Sequence, residues 1–200
     1  MSPDRDRPDR VQRIAAQPFG FVHINKCGGR SVESALGLPK FHADARRMIG
    51  IFGRETWDAM FTFAIVRNPY TRLASLYHHR QRKGLGGTEI GFADWIEAVF
   101  ARADPRHALR PAMLRPCSDW LVDADGRRAV TEIVRLEELP ARWPALCARL
   151  GVDVPLPHRN AGHGPWDCAQ LYPPALRPLV EEVFATDFQA FGYAFPQEGR

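Results

Sequence analysis

Two hundred residues suffice for a domain that buries roughly 70% of the surface its unfolded chain exposes, and a hydrophobic share of 45% is ordinary for a globular protein. The net charge is +4, from 27 Lys and Arg against 23 Asp and Glu, which suits an anionic ligand. The arginines are spread along the chain without a recognition helix or an aromatic RNA-binding motif, and no apolar run is long enough to span a bilayer, so nucleic acid and a membrane span are excluded as the main role.

Residues 1–17, MSPDRDRPDRVQRIAAQ, are rich in Arg, Asp and Pro and predict a disordered tail ahead of a single domain over 18–196. No apolar core follows these charges, so they do not read as a signal peptide, and a cytoplasmic location is expected. The apolar run Phe19 to Ile24 predicts a strand. It gives way to Asn25, Lys26 and the pair Gly28–Gly29, and a helix is expected over 30–37. Backbone N–H groups at a helix N-terminus lack intrahelical partners and point at whatever sits there. Two glycines let that backbone approach a ligand, and Lys26 adds a mobile charge. The lysine precedes the glycines, unlike a Walker loop, and no G-x-G-x-x-G occurs. A plain strand and turn with a surface lysine is the alternative. Only three lysines stand against 24 arginines, which makes the one in this loop notable.

The segment PKFHADARRMIG (39–50) carries His42 just ahead of a helix expected over 43–50. Phe61 to Val66 predicts a second buried strand. Asn68 is suited to cap a helix over 70–83 and Pro69 to its first turn. Leu73, Leu76 and Tyr77 share one face of that helix; Arg72, Ser75, His79 and Arg82 share another. Arg67 at the strand end and Ser75, about 9 Å along the helix from Pro69, could grip one phosphate; solvated arginines are the alternative. Two strand-to-helix anion sites imply a ligand with two separate anionic groups. Further on, a glycine-rich turn (85–91), a helix (92–102), an irregular segment with three prolines (103–118), a turn (123–126), a strand (129–135), a helix (139–150) and a last helix (173–187) are expected. Strands alternating with helices give a parallel sheet covered on both faces, with ligands at the carboxyl ends of the strands. Cys27, Cys117, Cys147 and Cys168 form no C-x-x-C pair, so no zinc site is expected.

With these residues the chain resembles the carbohydrate-type, or family 2, sulfotransferases, which use 3′-phosphoadenosine 5′-phosphosulfate. The segment HINKCGGRS is similar to their 5′-phosphosulfate loop, and FAIVRNPYTRLASLY to their 3′-phosphate element. Weaker likenesses are IVRLEEL (133–139), PLPHRNAG (155–162) and DFQAFGYAF (187–195). Cys117 departs from the glutamine many members carry. The resemblance implies an α/β, P-loop NTPase-like fold, a central parallel sheet flanked by helices on both faces. It implies that the N–H groups of Cys27, Gly28, Gly29 and Arg30 and the Ser31 hydroxyl cradle the 5′-phosphosulfate. Lys26 would neutralise the leaving oxygen, Arg67 and Ser75 would bind the 3′-phosphate, and Asn160 and Arg159 would belong to a lid. Members tolerate threonine in place of Cys27, which therefore acts through its backbone.

Sulfuryl transfer resembles phosphoryl transfer, so the protein supplies position and charge stabilisation. The acceptor hydroxyl needs a base, and histidine suits the task. His42 stands where the family's base stands, with His163 the runner-up; His23 is expected to pack or orient the turn. No metal is expected, since no aspartate dyad or Walker-type magnesium arrangement is found. The acceptor read from the family is a hydroxyl on a saccharide, and the oligomeric state is open. An atypical nucleotide kinase or NTPase and a non-catalytic nucleotide-binding protein of the same fold are the competing readings.

Overall fold

A computed structural model describes residues 8–157 and 167–196. Its contacts gather into two compact units. The first holds the chain up to Arg67 and then Asp119 to residue 157. The second holds Asn68–Ser118 and residues 167–196.

The first unit is built on three parallel strands, β1 (Phe19–Val22), β2 (Phe61–Val66) and β3 (Glu132–Arg135), in the order β1-β2-β3. Phe19 pairs with Phe61 and Val22 with Ala64; on the other side Phe63 pairs with Glu132 and Val66 with Arg135. β2 is the central strand, and Phe63 to Val66 are all buried, as the unbroken apolar run requires. Its ends agree with the expected strand, whereas β1 and β3 are shorter than the runs 19–24 and 129–135. Two adjacent parallel strands need a crossover between them. Between β1 and β2 it is made by α2 (Gly29–Ala35), α3 (Ala45–Phe52) and α4 (Arg54–Ala59). The short α4 was not expected from the sequence. It delivers Trp57, whose ring covers Gly20 so closely that a Cβ there would lie 2.4 Å from it. Trp57 Nε1 donates to the Ala129 carbonyl at 2.7 Å. The sheet is thus the expected P-loop NTPase-like parallel sheet, flanked by helices.

The tail expectation needs correction. Pro8–Ala15 form a helix, α1, with Pro8 in its first turn, Asp9 near its N-terminus and Arg13 near its C-terminus. Ile14 is buried and α1 packs against α3, which offsets the polar composition that suggested disorder.

The second unit is helical: α5 (Pro69–Arg82), α6 (Phe92–Ile96) and, after α7 (Leu139–Leu150) of the first unit, α8 (Cys168–Leu171), α9 (Arg177–Val183) and α10 (Ala185–Phe191). The helix expected over 92–102 leaves α-geometry at Glu97 and closes as one π-helical turn, Glu97–Ala101. The helix expected over 173–187 breaks at buried Phe184. Tyr70, Tyr77, Phe92, Trp95, Tyr172 and Phe184 form an aromatic core. Tyr172 donates to the Tyr70 carbonyl at 2.7 Å, and Tyr70 to Glu181 at 3.0 Å. Burial, reinforced by the Glu181 carboxylate, pushes the Tyr70 hydroxyl well above its ordinary range. Asn68 caps α5 as expected, accepting from Tyr70 N–H at 3.1 Å, and donates from Nδ2 to the Ala194 carbonyl at 2.8 Å. Phe195 lies beneath Arg177, 3.7 Å from its guanidinium carbon to the ring centre, and packs on Tyr70.

Two arginines of α5 are buried. Arg72, expected on a polar face, donates to the carbonyls of Arg115 (2.8 Å) and Met113 (3.2 Å). Arg80 donates to Leu109 (2.8 Å) and Gly86 (3.0 Å). Each guanidinium serves as a clip for the irregular segment. Asp187, fully buried, accepts from the N–H groups of Cys117 (2.7 Å) and Ser118 (2.8 Å). That bond accounts for the aspartate of the DFQAFGY segment, and Gly192, with φ +66°, provides the left-handed end of α10.

Candidate active site

At the carboxyl edge of the sheet, within the first unit, β1 leads into the turn Asn25–Gly28, β2 ends on Arg67, and an extended segment before α3 carries His42. Lys26 is half-buried and left-handed, with φ +64°. That conformation costs a non-glycine residue roughly 1–2 kcal/mol. The turned carbonyl of Lys26 accepts a hydrogen bond from Arg67 Nη1 at 3.2 Å. One residue from each of the two anion-loop motifs is therefore directly joined.

The glycine pair has reasons beyond ligand approach. Gly28 is left-handed, with φ +76°, and a Cβ there would lie 2.4 Å from Leu136 Cδ1. A Cβ on Gly29 would lie 2.1 Å from His23 Cδ2 and 2.3 Å from its Nε2. The His23 ring thus fills the space a side chain at 29 would take. The first amides of α2, on Gly29 and Arg30, have no acceptor within the helix. Ser31 N–H donates to the Gly28 carbonyl at 2.9 Å; its side chain is half-buried, and Arg30 is exposed. Cys27 is buried with its thiol turned to the Asn25 carbonyl, 3.6 Å away, so it is not presented as a nucleophile.

His42 is half-buried. Its Nδ1 lies 3.3 Å from the His23 carbonyl, and the two rings are 4.0 Å apart at 42°. A carbonyl oxygen only accepts, so Nδ1 carries the proton and the neutral ring keeps its lone pair on Nε2. His23 is buried; its Nδ1 meets Glu33 Oε1 at 2.6 Å, and the same oxygen accepts from Phe41 N–H at 2.8 Å. His23 therefore orients the turn, as expected. Glu33 was not singled out in the sequence: a glutamate one turn into a helix carries no mark that separates it from a solvated carboxylate.

Of the residues expected at the site, Lys26, Cys27, Gly28, Gly29, Arg30, Ser31, His42 and Arg67 belong to the first unit. Ser75 is half-buried on α5 in the second. Asn160, Arg159 and the alternative base His163 lie outside the described residues. Among the described residues no group of three or more His, Cys, Asp or Glu is placed to hold a metal ion, and no helix is long and apolar enough to cross a membrane.

The family model described as the sulfotransferase family matches residues 19–194. A crystal structure of a sulfotransferase from Alicyclobacillus acidocaldarius shares the fold, with a TM-score of 0.50 and 19% identity over 86% of this chain and 93% of that one. Two curated proteins match locally. A cobyric acid synthase of Mycolicibacterium vanbaalenii is 53% identical over 32% of this chain, and one of Mycolicibacterium gilvum 32% identical over 31%. The chain spans 16% of the length of each.

Proposed function

Because this chain belongs to the sulfotransferase family, we propose that it moves a sulfuryl group from 3′-phosphoadenosine 5′-phosphosulfate to an acceptor hydroxyl. The observation that carries this reading is the 3.2 Å hydrogen bond from Arg67 Nη1 to the Lys26 carbonyl. It joins the end of β2 to the turn after β1, which favours one ligand with two anionic groups over two unrelated sites.

The donor set fits that nucleotide. Lys26, Arg67, the first amides of α2 and the Ser31 hydroxyl are cations or hydrogen-bond donors, and the neighbouring carboxylate, Glu33, is turned to His23 and Phe41. The N–H groups of Cys27, Gly28, Gly29 and Arg30 would hold the 5′-phosphosulfate, and Arg67 the 3′-phosphate. Ser75 and Asn160 join the nucleotide ligands on the strength of their motifs. When bound, the nucleotide supplies an activated sulfuryl group with a phosphate leaving group. Lys26 neutralises negative charge as it develops on the departing oxygen. His42 takes the acceptor's proton on Nε2, the nitrogen its bond to the His23 carbonyl leaves unprotonated.

A saccharide hydroxyl is the acceptor in this reading, and the net charge of +4 favours an anionic glycan. The family match runs unbroken through both units, which supports one domain over 18–196. A cytoplasmic location is part of the same proposal. Calorimetry with adenosine 3′,5′-bisphosphate against ATP tests the donor. Preference for the bisphosphate is expected; preference for ATP with a magnesium requirement overturns the assignment in favour of a kinase. Transfer of radiolabelled sulfuryl group to a glycan panel then separates an enzyme from a binder.

A further inference from the structure

We propose that Glu33 is a positioning residue for His42, holding the base through two separate handles; this rests on His42 being the base of the proposed reaction. Glu33 is 4% exposed on a helix with solvent-facing positions one turn away, an expensive place for a carboxylate. Arg30 Nη1 lies 3.8 Å from Oε2, and the Arg30 side chain is half exposed. Oε2 itself makes no hydrogen bond among the described residues. A helix of this length gains nothing from a buried acid unless the acid ties something down.

What it ties down is the base. Oε1 accepts from Phe41 N–H at 2.8 Å, one residue before His42 in the chain. The same oxygen meets His23 Nδ1 at 2.6 Å. The His23 carbonyl in turn accepts a hydrogen bond from His42 Nδ1–H at 3.3 Å, and the two ring centres lie 4.0 Å apart. One oxygen therefore fixes the backbone that carries His42 and the residue that selects its tautomer. These contacts leave the reacting atoms untouched, so Glu33 acts through His42. Glutamine can reproduce both bonds, since an amide oxygen has two lone pairs; alanine can reproduce neither.

The test uses the full chain with 15N-labelled histidine, in wild type, Glu33→Gln and Glu33→Ala, at a pH where the ring is neutral. The His42 resonances are expected to show Nδ1–H in wild type and in the glutamine variant, and a mixture of tautomers in the alanine variant. A wild-type His42 protonated on Nε2 overturns the proposal, whether or not the alanine variant folds. With radiolabelled 3′-phosphoadenosine 5′-phosphosulfate and the best acceptor of a glycan panel, Glu33→Ala should lower kcat on the order of 10²-fold, as a misplaced catalytic group does. KM for the donor and the Kd of adenosine 3′,5′-bisphosphate should hold, and Glu33→Gln should restore kcat. Full turnover in Glu33→Ala beside a dead His42→Ala removes the role of Glu33 alone. Full turnover in His42→Ala removes the base assignment and this role with it. A loss of donor affinity as large as the loss of kcat makes Glu33 merely structural and also overturns the proposal.

Discussion

Replacing Gly29 by alanine sets two known effects against each other. Gly29 opens α2 with a φ an L-residue can adopt, and alanine is the better helix former by up to about 1 kcal/mol. Local propensity alone therefore predicts a stabilised protein. The new Cβ, however, would lie 2.1 Å from His23 Cδ2, where carbon atoms normally sit about 3.5–4.0 Å apart. The ring has little room to yield. It is held by Glu33 at 2.6 Å, stacked on Phe21 with ring centres 5.6 Å apart, and faced by His42 at 4.0 Å. Overpacking costs about 1–3 kcal/mol, and a contact of 2.1 Å falls in the upper part of that range, about 2–3 kcal/mol, which leaves a net loss of about 1–2 kcal/mol after the propensity gain. For a chain of this size each kcal/mol lowers Tm by roughly 2–4 °C. Thermal melts of wild type and Gly29→Ala measure the difference. Combining Gly29→Ala with His23→Ala should cost less than the sum of the two changes, because the clash has lost its second partner. A Gly29→Ala protein that melts at or above wild type would refute the reasoning, and with it the view that the second glycine is there for a histidine.

Lys26→Ala should reduce turnover far more than bisphosphate affinity in a steady-state and calorimetric pair; equal activity removes its assigned role. Lys26→Gly should lose the same activity yet be more stable than Lys26→Ala by about 1 kcal/mol in urea unfolding, since glycine relaxes the left-handed turn. Arg67→Ala should weaken adenosine 3′,5′-bisphosphate much more than 5′-AMP, and an equal loss for both argues against a 3′-phosphate contact. Asp187→Ala leaves two backbone N–H groups without their acceptor, one buried and one half-buried, so a loss of about 2–6 kcal/mol is expected at about 1–3 kcal/mol each. Asp187→Asn, which keeps one acceptor, should lose less in the same denaturation series.

The sheet was legible because its strands are short apolar runs with abrupt ends: β2 and α7 lie where the pattern put them. The loop carrying Lys26 was legible for the same reason, since polar and glycine residues interrupt an apolar run at one point. What the pattern hid was burial of polar groups. Arg72 and Arg80 sit in a helix whose arginines look alike in sequence, and only the carbonyls of the following segment decide which go inside. Glu33 was hidden likewise, because its partners lie 10 and 8 residues away in opposite directions along the chain. α1 escaped notice because one buried isoleucine outweighs a composition that is otherwise polar.

Asn68 serves two masters: its Oδ1 starts α5, while its Nδ2 secures the carbonyl of Ala194 at 2.8 Å. The stretch after α10 is thereby tied to the residue that follows Arg67. Shortening the chain past Ala194, or fusing an affinity tag without a spacer behind Phe195, would tug on the first turn of α5.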